Sequence, residues 1–413
     1  RPEQIKFFIK DAVEQWGTTY VLLVGGLKSH FMGKPRDNLN VGIRDWYLPV
    51  RYTNLWDSDV VYDPGFISDL YYADIYDGQG SFCTWDSDGD GVYGRWISTA
   101  PLIGTDSLSD QIDFYPDIYL GRLPCRNIVE VKTMVKKIIT YEKASADPSW
   151  FKRMVVIGGD PYDDEGTDYL EGELIGQKVV TYMPGFAQRK LFASNRETYP
   201  DFTPMTQNII REINQGCGFL FLDGHGGPSW WNTYWPGEFN ALIEKGGITV
   251  YHFSQLKNND KLPICIIGGC HNNMFNVSVL LSLLDLKNKH FMWSYGVPIP
   301  DCFGWSLTVK ANGGAIATIG NTALGYEAGG EVGDLNGDKI NEPDCVEALC
   351  GFLESQFFKG YGINQIDTLG NTWCNAIVEY LKVYPGMENL NDAKVIEQWV
   401  LFGDPSLRIG GYS

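Results

Sequence analysis

Residues 217–226 read CGFLFLDGHG: four large apolar side chains in unbroken succession, Phe219 to Leu222, run straight into a carboxylate, a histidine and glycines. A strand with one face in water alternates apolar and polar residues, so an uninterrupted run is the pattern of a strand covered on both faces. The same grammar recurs at residues 20–26 (YVLLVGG), 154–160 (MVVIGGD), 262–270 (LPICIIGGC) and 314–322 (GAIATIGNT). Amphipathic segments of helical length, residues 128–143, 169–182 and 203–214, lie between these runs. Strands alternating with helices predict a mostly parallel sheet with helices on both faces. Asp147, Pro148 and Ser149 interrupt the pattern before the strand at residue 154, which places a boundary between an amino-terminal α/β sub-domain, 1–150, and a second sub-domain, 151–413.

Composition narrows the function. The 413 residues exceed what one typical core supports, and 44 % apolar against 20 % charged residues is ordinary globular usage. A formal charge of −18 repels phosphate backbones and anionic lipid, so nucleic acid is excluded as a partner. No apolar run reaches the length of a bilayer span, so no membrane segment is expected. The first ten residues lack the layout of a signal peptide and no Met opens the chain, which reads as a start left by removal of an earlier segment. Nine cysteines show no CxxC pair; the odd count is read as one free thiol plus bridges, with Cys217 and Cys265 as thiols buried in strands.

In a parallel sheet, functional groups gather beyond the carboxyl ends of the strands. Three of the runs end in matched chemistry: Asp160 closes MVVIGGD, His225 follows FLFLDG and Cys270 follows ICIIGG. An imidazole that accepts the thiol proton turns a weak nucleophile into an effective one, and a carboxylate behind it would fix its tautomer. Gly226, Gly268 and Gly269 let the backbone approach a substrate, and the N–H groups of Gly226 and Cys270 are the candidate oxyanion donors. Trp230, Trp231, Tyr234 and Trp235, just after the histidine, are candidates for lining a substrate groove.

Two acidic loops stand apart. Asp86, Asp88 and Asp90 form D-x-D-x-D-G, the first half of a calcium loop, but Ile97 occupies the twelfth position, so it is not an EF-hand. Asp334, Asn336, Asp338 and Asp344 form the second loop, also off the standard spacing. Carboxylates packed this closely call for a counter-cation, and structural calcium is the expectation.

The segments GFLFLDGHGGPSWW, LPICIIGGCHNNMFN, GGAIATIGNT and EQWVLFGDPSLRIGG resemble the catalytic region of the gingipain family of cysteine peptidases. SDLYYADIYD and IDFYPDIYLGRLPCRNIVEVKTMVKKIITYE resemble that family's amino-terminal sub-domain, so the resemblance covers most of the chain. It implies a caspase-like α/β/α sandwich, Cys270 as nucleophile, His225 as its partner, Asp160 as the acid behind the histidine, a peptide or protein substrate, and secretion as a zymogen. It also implies cleavage after Arg or Lys, with Asp168 and Glu171 nearest the position that receives the basic side chain. The interval from His225 to Cys270 is longer than the family pattern. Two rivals remain open: a transpeptidase of the same fold, and a catalytically silent surface module that binds calcium.

Overall fold

The computed structural model describes residues 1–412 except 39, 54–64, 98–106, 109, 163–168, 239–241, 281–297, 330–331 and 387–388. Eight strands form its main sheet, in the order Tyr20–Val24, Tyr119–Leu123, Trp399–Phe402, Ala317–Asn321, Ile264–Gly268, Phe219–Asp223, Arg153–Gly158 and Ala187–Phe192. The Trp399–Phe402 strand runs antiparallel to Ala317–Asn321, and the other neighbours are parallel. The expected α/β sandwich is therefore present, with each of the five predicted runs in the sheet.

The unbroken apolar runs have the predicted cause. Phe219 and Phe221 join Met154, Val156, Ile264 and Ile266 in one core, packed under the helices Glu171–Thr181, Leu349–Gly362 and Leu369–Val383. Leu220 and Leu222 join Val155, Ile157, Cys265 and Ile267 in another, under Thr206–Asn214 and Phe303–Val309. Successive side chains of one strand point to opposite faces, so both faces must be apolar.

Two strands of residues 1–150, Tyr20–Val24 and Tyr119–Leu123, belong to the same sheet as six strands of 151–413. The joint is the carboxyl-terminal strand Trp399–Phe402, which sits between Tyr119–Leu123 and Ala317–Asn321. Beside it, the buried Arg122 guanidinium grips Asp69 through two 2.6 Å hydrogen bonds. The cysteine reading needs correction: all nine thiols are free, and eight of them are buried. They are small apolar side chains on elements already held together by packing, so no bridge is required.

Chain order reverses between the Arg153–Gly158 and Phe219–Asp223 strands. The chain leaves the first toward the Ala187–Phe192 edge and returns to add Phe219–Asp223, Ile264–Gly268 and Ala317–Asn321 on the other side. At such a switch point the connecting segments leave in opposite directions and a crevice opens at the carboxyl ends of the strands.

Candidate active site

Cys270 and His225 line one cavity of about 340 Å³ in that crevice. The Ile264–Gly268 and Phe219–Asp223 strands pair in parallel register, with Asp223 opposite Gly268. Two residues beyond each register partner stand His225 and Cys270, so the register itself brings imidazole and thiol to the same rim. Cys270 is the one thiol of the nine that is not buried. Burial pushes the others upward, Cys125 to about 11 and Cys83, Cys217, Cys302 and Cys374 to about 12, which keeps them protonated and unreactive.

The His225 ring is held from behind. Its Nε2 lies 2.7 Å from the Pro161 carbonyl oxygen. A carbonyl only accepts hydrogen bonds, so Nε2 carries the hydrogen and Nδ1 keeps a lone pair for a proton. Burial lowers the pKa of the ring, and the Pro161 carbonyl partly offsets it, which favours the neutral form that acts as a base. Asp160, expected behind the histidine, is buried at the end of its strand, and its backbone carbonyl accepts from the Tyr234 N–H at 3.2 Å. Among the described residues, the neighbouring Pro161 carbonyl, a group the sequence reading did not consider, is the hydrogen-bond partner of the ring.

His225 begins a short antiparallel hairpin, His225–Gly227 with Trp230–Asn232. Asn272, two residues past Cys270, donates from Nδ2 to the carbonyls of Gly227 (2.8 Å) and Trp230 (2.9 Å), tying the hairpin to the cysteine turn. Gly226 lies against that turn: a methyl group there would sit 2.9 Å from the Cys270 amide nitrogen and 2.3 Å from Asn272 Oδ1. Only glycine fits, which brings both proposed oxyanion donors to one place. His271 adopts φ 58° as the chain turns away from the strand.

The flanking aromatics divide. Trp231 is fully buried in the core with Val155 and Leu220, so its expected role in a substrate groove is corrected to packing. Trp230 is half-buried beside Gly227, outside the cavity lining, while the Tyr234 ring stands edge-on to His225 at 5.1 Å.

Of the expected substrate acids, Asp168 lies outside the described residues, and Glu171 is fully buried at the start of its helix. Three acids that the sequence reading missed stand near the dyad. Glu327 lines the cavity; Asp223 and Glu354 are fully buried behind Gly268. Asp223 continues the face of Phe219 and Phe221, and period-two alternation from FLFLD was the available signal.

The acidic loops gain partners from elsewhere. Carboxylates of Asp86, Asp88 and Asp110 lie within 4.8 Å of one another, as do those of Asp334, Asp338 and Glu347. Asp90 instead pairs with Arg95 at 2.6 Å, outside the first cluster, and Asp344 opens the next helix, outside the second; Asn336 Oδ1 accepts from the Asp338 N–H. Alternate acids in a loop do converge, but the final oxygen donor comes from a separate segment.

A thiol and an oriented imidazole at adjacent strand ends of such a sheet define a cysteine-peptidase type of site. Peptidase family C25 matches residues 1–410, and the chain belongs to that family. Gingipain R2 of Porphyromonas gingivalis is 25 % identical over 320 residues, covering 75 % of this chain and 35 % of the relative. Lys-gingipain of the same organism is 23 % identical over 216 residues, covering 52 % of this chain and 10 % of the relative. The chain thus spans about a third or less of these relatives. The crystal structure of the Arg-specific cysteine proteinase gingipain R superposes with a TM-score of 0.55 at 20 % identity, covering 98 % of this chain and 68 % of that one. A complex of gingipain pro- and mature domains gives 0.54 at 20 % identity, covering 98 % and 69 %. These likenesses support the caspase-like sandwich.

Proposed function

We propose that the chain is a cysteine endopeptidase in which Cys270 attacks the peptide carbonyl and His225 carries the proton. The observation that carries this reading is the single partly exposed thiol, in one cavity with an imidazole whose Nε2 is committed to a carbonyl. The thiol proton passes to Nδ1, and the thiolate adds to the carbonyl. The N–H groups of Gly226 and Cys270 receive the oxyanion. The imidazolium then protonates the leaving amine, and water releases the acyl group by the reverse steps. Glu327, an acid in the cavity lining, favours a basic residue before the scissile bond, Arg or Lys. Profiling against a peptide library tests this, with mass spectrometry after an alkylator. Expected are cleavage after basic residues and one adduct, on Cys270; turnover that survives complete alkylation of Cys270 rules the reading out.

The two carboxylate triads suit a hard cation such as calcium, which prefers oxygen ligands in flexible geometry. Bound there, it would screen carboxylates that otherwise repel, a structural role. Among the described residues no helix is long and apolar enough to cross a membrane. Secretion as a zymogen is the setting that kinship with gingipains suggests, and the relative solved with its pro-domain agrees with it.

A further inference from the structure

Asn321 ends the Ala317–Asn321 strand, next in the sheet to the strand that leads into Cys270, and it lines the cavity that holds Cys270 and His225. Its side chain is buried, 1 % exposed, and its Nδ2 donates to the Gly269 carbonyl at 3.3 Å. That carbonyl and the Cys270 N–H are the two ends of one peptide group. A peptide is planar, so fixing its oxygen fixes the direction of its hydrogen.

The residue before this peptide, Gly269, has no Cβ, which lets the plane turn over at little cost. Turned over, it would present an oxygen where the oxyanion reading calls for a donor. The rest of the turn is pinned by backbone groups: the Gly268 carbonyl accepts from the Gly224 N–H at 3.0 Å, and the His271 and Asn273 amides donate to the Ala323 and Asn321 carbonyls, each at 2.8 Å. The Gly269 carbonyl is held by a side chain instead. Asn321 is itself placed firmly: Trp399 is its register partner, and the next residue, Thr322, donates from Oγ1 to the carbonyls of Ile67 (2.8 Å) and Gln398 (3.0 Å). Among the described residues, Asn321 Oδ1 is buried and meets no donor. A buried acceptor left unmet destabilises, so an apolar side chain of similar size would suit the fold at least as well. What the amide supplies is the donor on Gly269.

We propose that Asn321 is a positioning residue of the oxyanion site: by donating to the Gly269 carbonyl it keeps the Cys270 N–H aimed at the substrate carbonyl oxygen. This rests on the peptidase reading above. The same bond draws charge toward the Gly269 oxygen, which makes the N–H at the far end of that peptide a stronger donor. Both effects grow as the thiolate adds to the carbonyl carbon and the substrate oxygen becomes negative. They therefore lower the barrier without tightening substrate binding.

The experiment compares the parent with Asn321→Leu and Asn321→Ala on a peptide the parent cleaves, on the matching peptidyl aldehyde and on iodoacetamide. The thiolate adds to the aldehyde carbon and leaves a negative oxygen in the oxyanion site, whereas alkylation displaces iodide from a methylene carbon and forms no oxyanion. Losing one oxyanion donor costs about 10²–10³ in kcat, so misaiming one should cost about ten- to a hundredfold. KM should hold, and the aldehyde inhibition constant should rise by the factor by which kcat/KM falls. The alkylation rate and the melting temperature should stay at the parent values. An unchanged kcat in both variants, or a loss that alkylation shares, overturns the proposal and leaves the peptidase reading standing, and so does failure of both variants to fold. A parent that cleaves no peptide of a library overturns both.

Discussion

At the scale of single residues, the proposed chemistry rests on Cys270, since the other eight thiols are buried and held protonated. Replacing it with Ala should abolish turnover, and replacing His225 with Ala should be nearly as severe; losing one member of such a unit costs on the order of a million-fold. Single-turnover assays on purified variants read this, and a Cys270→Ala enzyme of full activity sinks the assignment. Asp160 is a different case, because the imidazole Nε2 meets the Pro161 carbonyl. Asp160→Asn should stay within about tenfold of the parent, whereas a carboxylate that sets the tautomer costs ~10⁴-fold when changed to its amide. A kcat loss near the larger figure would return the orienting role to Asp160. Trp231 shows the opposite limit of residue-level reasoning: next to a catalytic histidine an aromatic looks functional, yet this one fills the core.

At the scale of elements, the dyad is set by register between two strands and by one side chain joining the turns that leave them. Asn272 holds the histidine hairpin through two carbonyls. Asn272→Ala should therefore lower kcat by about a hundred-fold, the cost of displacing a reacting group by ~1 Å. KM should change little, and the pH profile of Cys270 alkylation should lose the histidine's influence. Unchanged kcat would mean that packing alone sets the distance. Lys137 plays a comparable structural part: its ammonium donates to the carbonyls of Leu307, Thr308, Lys310 and Gly313, closing the end of the Phe303–Val309 helix from a neighbouring one. Burial lowers its pKa to about 7, so the amine loses its charge around neutral pH, well below the range of an exposed lysine.

At the scale of the whole molecule, stability should depend on cations and on pH. Removing a divalent ion from the two carboxylate triads leaves repelling charges, so a chelator should lower the melting temperature and calcium should restore it. Asp110→Asn and Glu347→Gln should shrink that shift; a melting curve indifferent to both chelator and calcium removes the ion from the account. Glu397 is fully buried, and burial with the charges of Asp110 and Asp74 raises its pKa well above the ordinary value. A raised carboxyl contributes stability at low pH that is lost as pH climbs through its folded value, because the unfolded chain ionises first. The melting temperature of Glu397→Gln relative to the parent should thus increase from pH 5 to pH 8. A constant difference would show that the group does not titrate with folding.

The sequence by itself determined the sheet and put Asp160, His225 and Cys270 at its strand ends. Apolar runs that close on glycine are local signals of strands covered on both faces, and a parallel sheet puts the residues after such strands on one rim. Asp160, His225 and Cys270 were legible for that reason. It also marked both acidic loops, where alternate carboxylates within a few residues converge through local geometry. Only the tertiary structure decided what long-range packing assembles. The Pro161 carbonyl is a backbone group without a side-chain signature. Asp110 and Glu347 complete their clusters from other segments. The other eight cysteines form no bridge because their strands, helices and loops bury them separately. Asp223 and Glu354 meet because one strand and one helix converge behind Gly268, a coincidence in space that no spacing along the chain encodes.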